Sequence, residues 1–448
     1  MHLIVFLKLS ALESINGSGF SPSYFLWHNI WGSSSRSGFF NCNLQQHVIE
    51  KRVKNLRISW RHQIPFTPSF ASGVHSIDLD PVDNRYLLCG ASRGEMSIVD
   101  LEMPLLADSR KRVEHAVIPC RPSRGQHQSF ITYCQWYPQD TSLFISSDKE
   151  GKVKLWDANK SEIVDEYEFD DGITEMHWCN AVSQNPRIAV TTLASNVALI
   201  DPRQILFTFE TGDSSQNLRW QNEHISSLRW SVEDENMLAT GAVSGKIAIW
   251  DVRSSKNYLI SATPSIKNHC YGDSKLRTCI GGIRFSQDGL FLVCLSLNHT
   301  FTILRAQTMK AINQVSLPNE CNTNVASSVR FDIFSDDRVL RACTPVSDEV
   351  LVMTLDSNVK ENFRVLLVGH FQRVNACIYR RKHQQVNNIL SQNSVGAQVI
   401  SSGNDRMIHI WSPDMDEQLP DQEYDKISTL RSDRWSDDEN RPGPSYML

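Results

Sequence analysis

Between about residues 73 and 411 apolar and polar positions alternate in short runs, and no run keeps the three-to-four-residue spacing of a long helix. In GVHSIDLDPVDNRYLLCGASRGEMSIVD, residues 73–100, an alternating strand is followed by a polar turn, a short apolar strand with small residues, a tight turn and another alternating strand. The same order recurs in ITYCQWYPQDTSLFISSDKEGKVKLWD (131–157), GITEMHWCNAVSQNPRIAVTTLASNVALID (172–201) and HISSLRWSVEDENMLATGAVSGKIAIWD (224–251). Less regular versions follow at 279–304, 327–355 and 370–411, the last with an insertion rich in Gln and Asn. The units end at intervals of 44 to 57 residues, room for a four-stranded sheet and its loops.

One such sheet cannot hide both of its apolar faces, so the units must stack on one another, and seven of them can close a ring without a long exposed edge. The pattern therefore predicts an all-β, seven-bladed β-propeller over residues 66–413, with an N-terminal arm before it and an acidic C-terminal tail after it. Residues 1–65 are expected to hold the arm and a strand that closes the ring. In NLQQHVIEKRVKNLRISW, Ile49, Val53 and Leu56 have helical spacing, whereas Arg52–Ser59 reads as an outer strand of the seventh blade; we expect the arm upstream and the closing strand near 53–59.

The clearest internal echo is GKVKLWDANKS (151–161), which returns 94 residues later as GKIAIWDVRSS (245–255). Val153 and Leu155, like Ile247 and Ile249, fit the packed side of a strand, with Lys152, Lys154, Lys246 and Ala248 outward. Trp156 and Trp250 end the strand against a blade boundary, and Asp157 and Asp251 stand at the exit turn, where a carboxylate can accept backbone N–H bonds. In the seventh unit His370, Ser401, Asp405 and Trp411 can form an imidazole–carboxylate network backed by a hydroxyl and an indole. It resembles a Ser-His-Asp catalytic group, but each member falls where strands must be tied together, so a structural network is expected. His224 and Trp250 hold matching places in the fourth unit, with Ser244 where the seventh has Asp405; the second has Glu150 there. We expect no enzyme and no cofactor: no metal-ligand spacing, Gly-rich phosphate loop or nucleophile motif stands out.

Composition fits a soluble globular protein, at 41% hydrophobic and 21% charged residues. Eleven cysteines without a CxxC pair suit reduced, buried thiols. The opening MHLIVFLKLSAL is broken by Lys8 and too short to span a membrane. Residues 414–448 carry ten acidic against four basic groups, more than the whole formal charge of -5, which leaves the rest nearly neutral and makes direct sequence-specific DNA binding an unpromising expectation. That tail reads as a flexible solvated extension, or as a partner-binding peptide anchored by Trp435.

Trp156-Asp157, Trp250-Asp251, the pair Gly369-His370 and the strand GNDRMIHIW (403–411) together resemble the WD-repeat propeller family, with weaker marks at Val99-Asp100 and Ile200-Asp201. The phrases IDLDPVDNRYLLCGAS (77–92), QWYPQDTSLFISSD (135–148), KVKLWDAN (152–159), VLLVGHFQRVNAC (365–377) and DRWSDDEN (433–440) are similar, more narrowly, to WD-repeat substrate receptors of cullin-RING ubiquitin ligases in transcription-coupled nucleotide excision repair. That resemblance implies a nuclear scaffold held by the ligase's multi-propeller adaptor, working with repair factors at a stalled RNA polymerase II; the chemistry would belong to its partners. It also implies adaptor contacts through Asp-x-Arg boxes, here Asp251-Arg253 and Asp201-Arg203, and through an arm carrying Ile49, Val53 and Leu56. A local salt bridge closing the turn is the other reading of each box. A WD-repeat scaffold in another nuclear chromatin or RNA-processing complex is the competing class.

Overall fold

The computed structural model describes residues 51–413 apart from several stretches, of which 203–217, 264–278 and 319–328 are the longest. The chain folds into a seven-bladed β-propeller, almost all sheet, with one helical turn at residues 51–54. From the channel outwards, blade two runs Ile131–Trp136, Leu143–Asp148, Lys152–Asp157 and Glu162–Glu168, every pair antiparallel. Blades three to six repeat this order, starting from inner strands Ile173–Trp178, Ile225–Trp230, Ile280–Phe285 and Asp332–Asp336. Blade one begins at Val74–Leu79 and carries a fifth strand, because His62–Gln63 adds in parallel to the edge of Val113–Cys120.

Blade seven is completed from the other end of the chain. Its inner strands Val374–Val386, Ile389–Gly403 and Ile408–Pro413 leave an open edge, and Leu56–Ile58 pairs with it, Leu56 opposite Pro413 and Ile58 opposite Trp411. Ser59 N–H extends the ladder to the Ile410 carbonyl at 2.7 Å. The ring is thus tied shut by main-chain hydrogen bonds between segments more than 340 residues apart.

Seven buried clusters hold the blades together, one at each boundary. Alternate residues of a strand serve opposite boundaries: Phe144 and Trp156 pack towards blade one, while Ile145, Val153 and Leu155 pack towards blade three. The outward assignment of Lys154 and Ala248 is therefore corrected. Each blade has a neighbour on both faces, so Lys154 is 2% exposed and Ala248 fully buried. The Lys154 ammonium is met in this setting by Glu166 Oε1 at 3.0 Å and the Gly125 carbonyl at 2.5 Å.

The hairpin joining the second and third strands has a left-handed residue at one position in six blades: Gly94, Gly151, Gly245, His299, Ser347 and Arg406. The GK phrase owes its glycine to this turn, since at φ 97° a Cβ on Gly151 would also strike the Phe169 carbonyl oxygen.

Candidate functional site

Two blades carry the full imidazole network. In blade seven His370 Nδ1 lies 2.8 Å from Asp405 Oδ2, His370 Nε2 lies 2.8 Å from Ser401 Oγ, and Trp411 Nε1 donates to the same hydroxyl oxygen at 2.8 Å. Blade two matches it with His127, Asp148, Ser146 and Trp156, each link 2.7 Å long. The placing of Glu150 at the carboxylate position of blade two is corrected. Its carboxylate comes from Asp148 at the end of the second strand, not from position 150 in the turn. Burial depresses the proton affinity of His127, more than Asp148 raises it, so the imidazole is neutral at pH 7. Burial also opposes ionisation of Asp148, but the hydrogen bonds from His127 and the Lys152 and Glu150 N–H groups outweigh it. Donation then runs one way: Trp156 to Ser146, Ser146 to His127, His127 to Asp148.

These networks fasten strands; they do not face a substrate. Ser146 and Ser401 are fully buried and His127 and His370 at most 3% exposed. In blade four Trp250 Nε1 donates to Thr240 Oγ1 at 2.8 Å, and His224 Nδ1 sits 3.3 Å from the Ile225 carbonyl instead of a carboxylate. His370, Asp405 and His409 place ligand-type atoms within 4.8 Å of one another. Both nitrogens of His370 are engaged, however, so a metal there would have to dismantle the blade-seven network.

At the exit turn of blade four, Asp251 receives a two-pronged contact: Arg253 Nε donates to Oδ1 at 3.0 Å and Nη2 to Oδ2 at 2.7 Å, with the Arg253 N–H also on Oδ1. The hydrogen bond from Arg253 holds the carboxyl below its usual range. Arg253 is 67% exposed at its side chain, so the fork is rigid at one end and open to solvent on the other. Blade two differs in the way its residues require. Asp157 caps the turn through the N–H groups of Asn159 and Lys160, and the cation beside it is the Lys160 ammonium, 3.5 Å from Oδ2, in place of a two-pronged guanidinium. Asp201 follows the third strand of blade three; Arg203, Ile49 and Trp435 lie outside the described residues. The closing strand expected near 53–59 is found at Leu56–Ile58, and Val53 and Leu56, which the resemblance offered as arm contacts, are instead 0% and 1% exposed between blades six and seven beside Phe334, Val352 and Trp411. Pairing of Leu56–Ile58 with the edge of blade seven turns those side chains into the boundary with blade six.

The sequence reading missed the central channel. Five inner strands place a polar side chain just before their last large residue, Asp78, Gln135, His177, Arg229 and Arg284, and blade six adds Asp332 at the start of its inner strand, whereas blade seven has Ile378 before Tyr379. Several of them lace blade to blade by accepting N–H bonds from the next inner strand: Asp78 from Trp136 (2.8 Å), Gln135 from Trp178 (2.7 Å), His177 from Trp230 (3.3 Å) and Asp332 from Tyr379 (2.9 Å). One residue pair earlier, Glu175 accepts from Leu228 N–H at 3.0 Å and pairs with Arg229 at 3.2 Å. A recurring polar residue before a closing Trp or Phe was the available signal; read one unit at a time, it looks like ordinary strand alternation.

Fold and repeat geometry define a seven-bladed β-propeller, and the family model "WD domain, G-beta repeat" matches residues 120–157, the stretch that holds the second complete network. Among curated proteins, the chain is 26% identical over 206 residues to "WD repeat-containing protein ATCSA-1" of Arabidopsis thaliana, covering 45% of this chain and 44% of that one. It is 27% identical over 146 residues to "Radiation-sensitive protein 28" of Saccharomyces cerevisiae, covering 33% and 28%. A third relative, "Ribosome biogenesis protein ytm1" of Neurospora crassa, is 26% identical over 200 residues, covering 41% and 40%. The matched regions thus span less than half the length of these relatives, and none of their names denotes an enzyme. No helix among the described residues is long and apolar enough to cross a membrane.

Proposed function

We propose that this protein is a receptor of the Cockayne syndrome group A type: a nuclear, non-catalytic scaffold that binds the multi-propeller adaptor of a cullin-RING ubiquitin ligase in transcription-coupled nucleotide excision repair. The observation that carries this reading is the Asp251–Arg253 fork, a pre-ordered guanidinium presented to solvent from a rigid blade turn. Held by its own carboxylate, Arg253 loses little further freedom on meeting a partner carbonyl or carboxylate, which is what a docking contact needs. The likeness to a protein whose printed name is ATCSA-1, and to one named for radiation sensitivity, supports the same direction. The scaffold would act by holding repair factors and stalled RNA polymerase II near the ligase, raising effective concentration without a nucleophile of its own.

Affinity purification from nuclear extract, comparing the wild-type chain with Arg253→Ala and with Arg203→Ala/Arg253→Ala, tests this. Ligase adaptor recovered with the wild type and depleted with the double variant supports it. Recovery of pre-ribosomal or chromatin proteins with no ligase adaptor would establish the second reading, a scaffold in another nuclear complex, which the relatives named for ribosome biogenesis favour.

A further inference from the structure

A cavity of about 390 Å³ lies within the central channel. Three consecutive blades line it with guanidinium groups: Arg229, Arg284 and Arg330. Among the described residues the ion-pair partner of this trio is Glu175, whose Oε1 is 3.2 Å from Arg229 Nη2 and 3.8 Å from Arg284 Nη1. Arg284 Nη1 otherwise donates to the Ile283 carbonyl at 2.8 Å, and Arg330 Nη1 to the His75 carbonyl at 2.7 Å. The Tyr133 ring lies between Arg229 and Arg330, each guanidinium carbon 5.2 Å from its centroid. Arg229 is 4% exposed, and its Nη1 is buried with no hydrogen-bond partner among the described residues.

Carboxyl groups do line the same cavity, at Asp78 and Asp332. Asp78 Oδ2 accepts the Trp136 N–H, and Asp332 accepts with both oxygens, Oδ1 from the Ile333 N–H and Oδ2 from the Tyr379 N–H. Burial raises both above the usual carboxylate range, Asp78 to about 7. Burial likewise works against the charge on Arg284 and Arg330. Crowded, partly dehydrated cations with one shared counter-ion gain most from an added anion.

We propose that this cavity binds a phosphate monoester, with Arg284 and Arg330 as its direct donors and Arg229 as the buried charge behind them. Three guanidiniums face the one ion-paired carboxylate of Glu175, and burial works against ionisation of the two other lining carboxyls, Asp78 and Asp332, so the lining favours a phosphate monoester of roughly -1.5 to -2 over a singly charged carboxylate. Planar guanidiniums suit its three acceptor oxygens. The volume falls within the roughly 300–1,000 Å³ of small-ligand sites, enough for the phosphate and the group it esterifies. The phosphate is carried either by a free small molecule or by a phosphorylated side chain of a protein, and the site stands independently of adaptor binding.

Isothermal titration calorimetry on the full chain at fixed ionic strength tests the site, with inorganic phosphate, O-phosphoserine, a short Gly-Ala peptide carrying phosphoserine, and the same peptide unphosphorylated. Phosphorylated probes should bind, Arg284→Gln should weaken them about tenfold, and Arg284→Lys should weaken them less. Arg284 is 17% exposed at its side chain, and unchanged thermal unfolding of both variants will show that the blade is intact. O-phosphoserine binding as tightly as the phosphopeptide assigns the site to small molecules; a preference for the phosphopeptide assigns it to a protein partner. Absence of binding by every phosphorylated probe, equal binding of the unphosphorylated peptide, or full affinity in folded Arg284→Gln overturns the proposal.

Discussion

Removing the hydroxyl at the centre of the blade-two network should destabilise the propeller far more than the loss of one oxygen atom suggests. In Ser146→Ala, Trp156 Nε1 loses its acceptor and His127 Nε2 its donor, both from contacts of 2.7 Å. Trp156 is fully buried and His127 3% exposed, so water does not replace the lost partner. A buried polar group left unsatisfied costs about 1–3 kcal/mol, which for two groups gives about 2–6 kcal/mol. Relaxation around the small void brings the expectation to the lower half, about 2–4 kcal/mol, a large part of the roughly 5–15 kcal/mol that stabilises a typical domain. Urea unfolding followed by tryptophan fluorescence reads the change. Trp156→Phe in the Ser146→Ala background supplies the sharper check, because it removes one of the two orphans. The double variant should then lose about 1–2 kcal/mol less than the sum of the single changes. Strict additivity, or a loss below about 1 kcal/mol for Ser146→Ala, would refute the one-way chain of donation from Trp156 to Asp148.

Other consequences can be measured on the same protein. Leu56→Ala empties a fully enclosed site between blades six and seven and should cost about 2–5 kcal/mol by urea unfolding, with a self-association shoulder in gel filtration as the edge of Ile408–Pro413 is uncovered. Ser347→Gly replaces an exposed left-handed residue (φ 53°) and should raise stability by up to about 1 kcal/mol; a loss would mean the serine side chain has a role the turn geometry does not show. Asp78→Asn tests the channel by pH. With the carboxyl raised from 3.8 to about 7 by burial, the folded state binds more protons than the unfolded one in that window, so wild-type stability falls as pH rises through it. The asparagine variant lacks that slope: its urea midpoint should gain on the wild type from pH 4 to pH 7 and hold a constant lead above, and parallel profiles would show that Asp78 titrates normally.

The propeller was legible because its period is long and its strands short. Seven recurrences of strand, polar turn and small-residue strand leave few other ways to bury the apolar positions, and Trp156, Trp250 and Trp411 mark the same boundary in three blades. Single residues were harder, for two physical reasons. Alternation in a sheet ordinarily separates a dry face from a wet one, but a blade is dry on both, which is why Lys154 was assigned to solvent although Glu166 and Gly125 enclose its ammonium. The second reason is that networks were sought by offset from the tryptophan. A carboxylate needs only to reach the imidazole, and Asp148 does so from two residues earlier than the turn position that Asp405 uses. The channel failed for a related cause. Arg229, Arg284 and Arg330 are each unremarkable within their own strand, and only the closing of the ring brings them around one cavity. The lining of a propeller channel is thus written across its units, so the informative comparison runs from Asp78 to Gln135 to His177 to Arg229 to Arg284, with Arg330 and Asp332 together in blade six, not along any one blade.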